Sequence, residues 1–319
     1  MHNLYPAIKP YAQHELKVSE PHVLYLEETG NPDGIPVIII HPGPGAESDP
    51  YFRRFFDPQQ YRIIQFDQRG CGKSTPHLAI TNNTTNDLLD DIDSIRDFLG
   101  LSEFVLYGGG WGSLLALLYA EKFPQQVKAL LIYEIFLGRK KDIDWFYKHG
   151  ANLVYPDYWQ EFISIVPENM HENIPQYYAE CVQGPNELAR MSAAKNWALW
   201  QARCSSLQPH LSVIDQYSDP HFALALATLE SHFIINRYFI EENQVLNNIH
   251  KIRHIPTYIV HGRFDLVSPL ASAWEVHQAL SASNLRIVRD GGHSDRELGI
   301  IDAIIYASKD ISKQGLDAG

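Results

Sequence analysis

Cysteine is scarce in this sequence: Cys71, Cys181 and Cys204 are the only three in 319 residues, widely spaced and odd in number. They make neither a disulfide framework nor a C-x-x-C zinc or redox motif, and a reducing compartment suits them best. Positive charge is in deficit, with 26 Lys and Arg against 38 Asp and Glu and a net charge of −12. No basic stripe is available to neutralise phosphates, so nucleic acid is not an expected partner. Long apolar runs are missing as well. Val37 to Ile40 is typical of what there is, far short of a membrane span, and Met1 to Tyr11 has no apolar h-region of the kind a secretory leader carries. The expectation is a cytoplasmic protein with no membrane partner. Neither H-E-x-x-H nor a Cys/His cluster occurs, so no metal site is expected, and there is no internal repeat or low-complexity segment.

What remains is ordinary globular material, 45% hydrophobic and 20% charged, enough for one large α/β domain with an insertion. Val23 to Glu27 alternates like a half-buried strand. Val37 to Ile40 and Arg62 to Phe66 read as strands too, the first running into His41-Pro42-Gly43-Pro44-Gly45 and the second into Asp67-Gln68-Arg69-Gly70-Cys71-Gly72. Asp87 to Leu99 carries Leu88, Ile92, Ile95 and Leu99 at helical spacing, with Thr84 or Thr85 to cap it and Gly100 to end it. Phe104 to Tyr107 and Ala129 to Tyr133 are further strands, separated by an apolar helix over Trp111 to Phe123. Strands alternating with helices predict a parallel sheet covered on both faces. The alternation stops after Leu137 and returns with Thr257 to Val260 and Leu285 to Val288, followed by a closing helix over Ile300 to Ala307. Between them the chain reads as helices, among them Ala193 to Cys204 and Phe222 to Tyr238. The expected division is a sheet domain of residues 1–137 and 244–319, with a helical cap of residues 138–243 inserted in it; from Lys313 the end is expected to fray.

The centre of the pattern is Gly108-Gly109-Gly110-Trp111-Gly112, between a buried strand and a core helix. A G-x-S-x-G turn in that context is the nucleophile elbow of the α/β-hydrolase fold. Here the frame is present and Gly110 stands at the serine position. The triad of that fold comes in the order nucleophile, acid, histidine, each after a strand. Asp265 follows one late strand and His293 the next, where a parallel sheet exposes its ligand-binding edge. Asp265 would then hold the imidazole by its Nδ1–H and leave Nε2 facing the elbow. In the loop after the early strand, Pro42 and Pro44 have no N–H, so Gly43 is the candidate oxyanion donor, with Trp111 as the second. A dinucleotide site is the rival interpretation, from Gly108-x-Gly110-x-x-Ser113 with Glu134 near the end of the next strand. It fails on the serine at the third position and on the strands that precede it. Ser113 does not replace the missing nucleophile, because it sits inside the helix with its hydroxyl directed away from the oxyanion donors.

From Tyr5 to about Ala307 these residues resemble the prolyl aminopeptidase (proline iminopeptidase) family of α/β-hydrolases. The resemblance includes Arg53-Arg54-Phe55-Phe56-Asp57-Pro58, Asp67-Gln68-Arg69-Gly70-Cys71-Gly72, Asp144-Trp145-Phe146-Tyr147, Glu230-Ser231-His232-Phe233, His261-Gly262-Arg263 and Gly292-His293-Ser294. It implies removal of an N-terminal proline without a cofactor, with Asp265 and His293 as acid and base and Gly43 and Trp111 as oxyanion donors. It also implies a cap carboxylate, Glu230, that holds the amino terminus of a peptide or small molecule, and Phe136 and Phe146 as apolar walls. The departures fall on the chemistry. Besides Gly110, Pro42 replaces a loop glycine, Tyr133 an arginine, and Gln201 a second amine-binding glutamate. Three functions stay open at this point: an impaired hydrolase of that type, a binding protein that uses the pocket without turnover, and a cofactor-free reaction with His293 as base.

Overall fold

The computed structural model describes residues 2–208 and 211–316. Among the described residues eight strands form one sheet: β1 Ala12–Lys17, β2 Val23–Gly30, β3 Ile35–Ile40, β4 Tyr61–Phe66, β5 Phe104–Gly109, β6 Val127–Tyr133, β7 Thr257–Gly262 and β8 Asn284–Val288. Their spatial order is β1-β2-β4-β3-β5-β6-β7-β8. The β1–β2 and β2–β4 pairs are antiparallel and the other pairs parallel. This is the α/β-hydrolase fold. Strand β1 was not legible in the sequence, since Ala12-Gln13-His14-Glu15-Leu16-Lys17 is an edge strand with every second residue exposed.

The pleat sorts the strand residues between two cores. Ile38, Ile40, Leu106, Leu130 and Ile132 face one side, under helices α1 (Thr85–Phe98) and α2 (Trp111–Lys122). Val37, Ile39, Val105, Tyr107, Leu131 and Tyr133 face the other, under helix Leu298–Leu316. This helix continues past Lys313, where fraying was expected; residues 317–319 lie outside the described residues. Thr84 caps α1 through a reciprocal bond with Asp87.

Between β6 and β7 the chain is helical, beginning with α3 (Lys140–Tyr147) and including helices Glu187–Cys204 and Pro220–Ile235, which pack on each other. The last is shorter than its apolar pattern suggests. Arg237, Tyr238 and Phe239 take φ values of 51°, 53° and 53°, which end the helix. That turn brings the Tyr238 ring to 5.4 Å from Trp111 and 5.1 Å from Phe136.

The passage from β5 into α2 depends on close backbone approach. A Cβ on Gly108 would lie 2.5 Å from the Gly112 carbonyl oxygen, and one on Gly109 would lie 2.2 Å from the Tyr133 ring. Gly109→Ala therefore overpacks a buried site, and a loss of about 1–3 kcal/mol is expected as a lower urea midpoint at unchanged slope.

Candidate active site

At the end of β5, Gly110 has φ 54° and ψ −120° and starts α2. Its amide is bonded to the carbonyls of Tyr133 (3.2 Å) and Glu134 (3.1 Å), which ties the turn to the end of β6. A Cβ on Gly110 would have its nearest neighbour, Glu134 Oε2, at 3.7 Å. The elbow thus has the shape and the space for a side chain but carries none.

Asp265 follows β7 and His293 follows β8, as consecutive strand ends of a parallel sheet require. His293 Nδ1 lies 3.0 and 2.9 Å from the two Asp265 oxygens. Asp265 Oδ1 also accepts from the amides of Val267 (3.0 Å) and Ser268 (2.8 Å). Burial opposes the charge on Asp265, but the His293 and His261 imidazoles and these donors outweigh it and hold the carboxyl below its usual range. Burial likewise opposes protonation of His293. The carboxylates of Asp265 and Glu134 override that and raise the imidazole to about 9. His261, bonded to the Ser268 carbonyl (2.8 Å) and accepting from the Ile135 amide (3.2 Å), buttresses the aspartate and is itself pushed down by burial.

The two candidate oxyanion donors are joined by a network that the sequence did not reveal. The Gln68 amide donates to His41 Nε2 (3.0 Å), Gln68 Nε2 donates to the His41 carbonyl (2.9 Å), and Trp111 Nε1 donates to Gln68 Oε1 (2.8 Å). This chain fixes the loop of Gly43 against the first residue of α2, whose own N–H has no intrahelical partner.

Gly43, Gly110, Trp111, Phe136, Phe146, Gln201, Glu230 and His293 all line one cavity, together with Glu134 and Tyr147. Glu230, on helix Pro220–Ile235, accepts from Tyr147 Oη (2.9 Å), Trp197 Nε1 (2.9 Å) and the Gln201 side-chain amide. Burial raises its carboxyl to about 6 and the three donors limit the rise. Gln201 supplies no charge here; its NH2 group is spent on Glu230 and on Tyr147 Oη (3.1 Å). Tyr133 stands apart. Its alternation in β6 directs the ring to the opposite face of the sheet, stacked 5.2 Å from Tyr107, and it lines the adjoining cavity with Asp295 and Arg296 instead. Ser113 is committed to backbone, donating to the Gly110 carbonyl (2.7 Å) and accepting from the Phe136 amide (3.2 Å).

Glu134 is the residue that the sequence does not single out: it enters there only through the rejected dinucleotide motif, whereas its Oε2 lies 3.5 Å from His293 Nε2. Its φ of +50°, rare for a residue with a side chain, is the local device that turns it into the cavity. Among the described residues no group of three or more His, Cys, Asp or Glu is arranged to hold a metal ion, and no helix is long and apolar enough to cross a membrane.

Comparison with known proteins agrees with this architecture. The family model for the alpha/beta hydrolase fold matches residues 35–299. A proline iminopeptidase of Arabidopsis thaliana is 44% identical over 96% of this chain and 81% of its own length. One from Xylella fastidiosa (strain 9a5c) is 42% identical over 97% of this chain and 99% of its own. Among solved structures, the esterase EaEST from Exiguobacterium antarcticum superposes with a TM-score of 0.65 at 19% identity, covering 94% of this chain and 98% of that one, a likeness of fold alone. With relatives this similar along nearly the whole chain, and the elbow, acid and histidine at the ends of β5, β7 and β8, the chain belongs to the proline iminopeptidase family of α/β hydrolases.

Proposed function

We propose that this protein is a prolyl-aminopeptidase-type hydrolase by descent whose serine-dependent step is lost at Gly110, and whose cavity takes a peptide or small molecule with a free amino terminus. The observation that carries this is the Glu230 carboxylate, which faces the same cavity as His293 and the Gly43–Trp111 cradle. A carboxylate at that depth pairs with a cationic secondary amine more strongly than with any neutral group. Glycine has no hydroxyl to attack a carbonyl, and in a serine protease that loss costs on the order of 10⁶ in turnover. Three free cysteines fit a cytoplasmic setting.

L-prolinamide is expected to raise the melting temperature and N-acetyl-L-prolinamide is not; equal shifts, or none, would refute an amino-terminus site. The affinity should also depend on pH in a defined direction. The amine stays protonated throughout, while Glu230, raised to about 6, loses its charge as pH falls through that value. Calorimetric affinity for L-prolinamide is expected to drop about tenfold from pH 7 to pH 5. Gly110 itself favours a second possibility, a protein that binds such ligands without converting them, and product analysis after prolonged incubation separates the two.

A further inference from the structure

Glu134 brings a carboxylate to the place that a side chain on the elbow would occupy. Its Oε2 lies 3.7 Å from the Cβ position of residue 110 and 3.5 Å from His293 Nε2. Among the described residues no hydrogen bond engages this carboxylate; its partners are the imidazole and the cavity that it lines. A buried acid kept free of donors, in a backbone conformation that side chains avoid, is costly unless the position is used. The Glu134 carbonyl accepts from the Gly110 amide at 3.1 Å, which ties the backbone of the acid to the elbow.

We propose that Glu134 and His293 are an acid–base pair that activates water for direct attack on the carbonyl of an N-terminal residue, in place of a side-chain nucleophile. This rests on the cavity being an amino-terminus site. Water attacks the carbonyl carbon, a C–O bond forms, and the water proton passes to Glu134. The oxyanion develops against the amides of Gly43 and Trp111. As the C–N bond breaks, His293 Nε2–H gives its proton to the leaving nitrogen. Glu134, protonated and 3.5 Å from the now neutral imidazole, returns its proton to Nε2 and the pair is restored. Amide and water enter, acid and amine leave, and the protons balance. Asp265 keeps the ring oriented and charged for its part as acid, while burial pushes the Glu134 carboxyl well above its usual range against the pull of the imidazole and makes it the more basic of the two carboxylates. A proton shared between two groups of this kind is the arrangement that general acid–base catalysis uses.

The test uses the full chain with L-proline 4-nitroanilide as substrate and L-prolinamide as binding probe. The wild type is expected to release 4-nitroaniline slowly, above the uncatalysed rate and without a burst. Glu134→Gln should lower kcat by about 100-fold or more while KM and L-prolinamide affinity change less than about twofold. Glu134→Gly, which suits the left-handed backbone, should show the same loss and guards against a folding artefact. Wild-type kcat in either variant overturns the proposal. So does an acyl adduct on Glu134 in intact-protein mass spectrometry, which would make it a nucleophile. Binding of L-prolinamide without any wild-type turnover also overturns it and leaves the amino-terminus site standing. Absence of binding removes that site and this pair's substrate with it.

Discussion

Gly110→Ser combined with Glu134→Gly is expected to raise L-proline 4-nitroanilide hydrolysis by on the order of 10³ or more over the wild type, whereas Gly110→Ser alone is expected to gain little. A serine at 110 has room, since its Cβ would stand 3.7 Å from the nearest atom. That atom, however, is Glu134 Oε2, which also lies 3.5 Å from the Nε2 that must take the hydroxyl proton. With the carboxylate in place the imidazole stands between two acids that raise it to about 9, which disfavours the neutral form a base requires near pH 7. Removing Glu134 leaves Asp265 as its single partner, the state in which histidine serves as a base toward serine. Restoring even half of the logarithmic loss attached to a missing nucleophile gives the stated gain. If the single variant equals the double in a kcat comparison, Glu134 is not the obstacle.

Glu230→Gln is expected to weaken L-prolinamide binding by roughly 10–150-fold, the equivalent of about 1.5–3 kcal/mol for one charge-assisted contact. The shape of the site survives this change. With the amide oxygen at the Oε2 position, Trp197 and Gln201 keep their acceptor, and Tyr147 Oη, 2.9 Å from Oε1, turns to accept from the new NH2, so the loss reports charge rather than collapse. The variant should also lose the pH dependence, because among the described residues the one titrating hydrogen-bond partner of this carboxylate is Tyr147, whose phenol burial drives well above its usual range. Titration calorimetry at pH 5 and pH 7 measures both effects; an unchanged affinity would place the amine elsewhere.

The sheet and the placing of Asp265 and His293 were readable because each depends on short-range pattern: an apolar strand, then a turn with a polar residue that can act as acid or base. The strand ends then meet by the register of a parallel sheet alone. Glu134 was not readable, because its approach to His293 depends on a left-handed residue at the end of β6 and on hydrogen bonds across to β5. Nothing in Tyr133-Glu134-Ile135 announces either. The resemblance sets Tyr133 at a substrate-site arginine position, but it is the last residue of β6, and pleat parity within Val127–Tyr133 turns its ring to the far core. The helix before Tyr238 ended early for a tertiary reason as well, the seating of that ring against Trp111 and Phe136.

The φ of 54° at residue 110 has a consequence for how this chain trades activity against robustness. Held there, any residue with a side chain costs about 1–2 kcal/mol that glycine does not. A serine hydrolase of this fold therefore carries its nucleophile at a permanent thermodynamic disadvantage, and a chain with Gly110 is relieved of it. The φ of +50° at Glu134 reintroduces a penalty of the same kind one strand away. Of the two left-handed positions at this edge of the sheet, only Glu134 carries a side chain, so the conformational cost of the site falls on the acid beside the imidazole and not on the elbow.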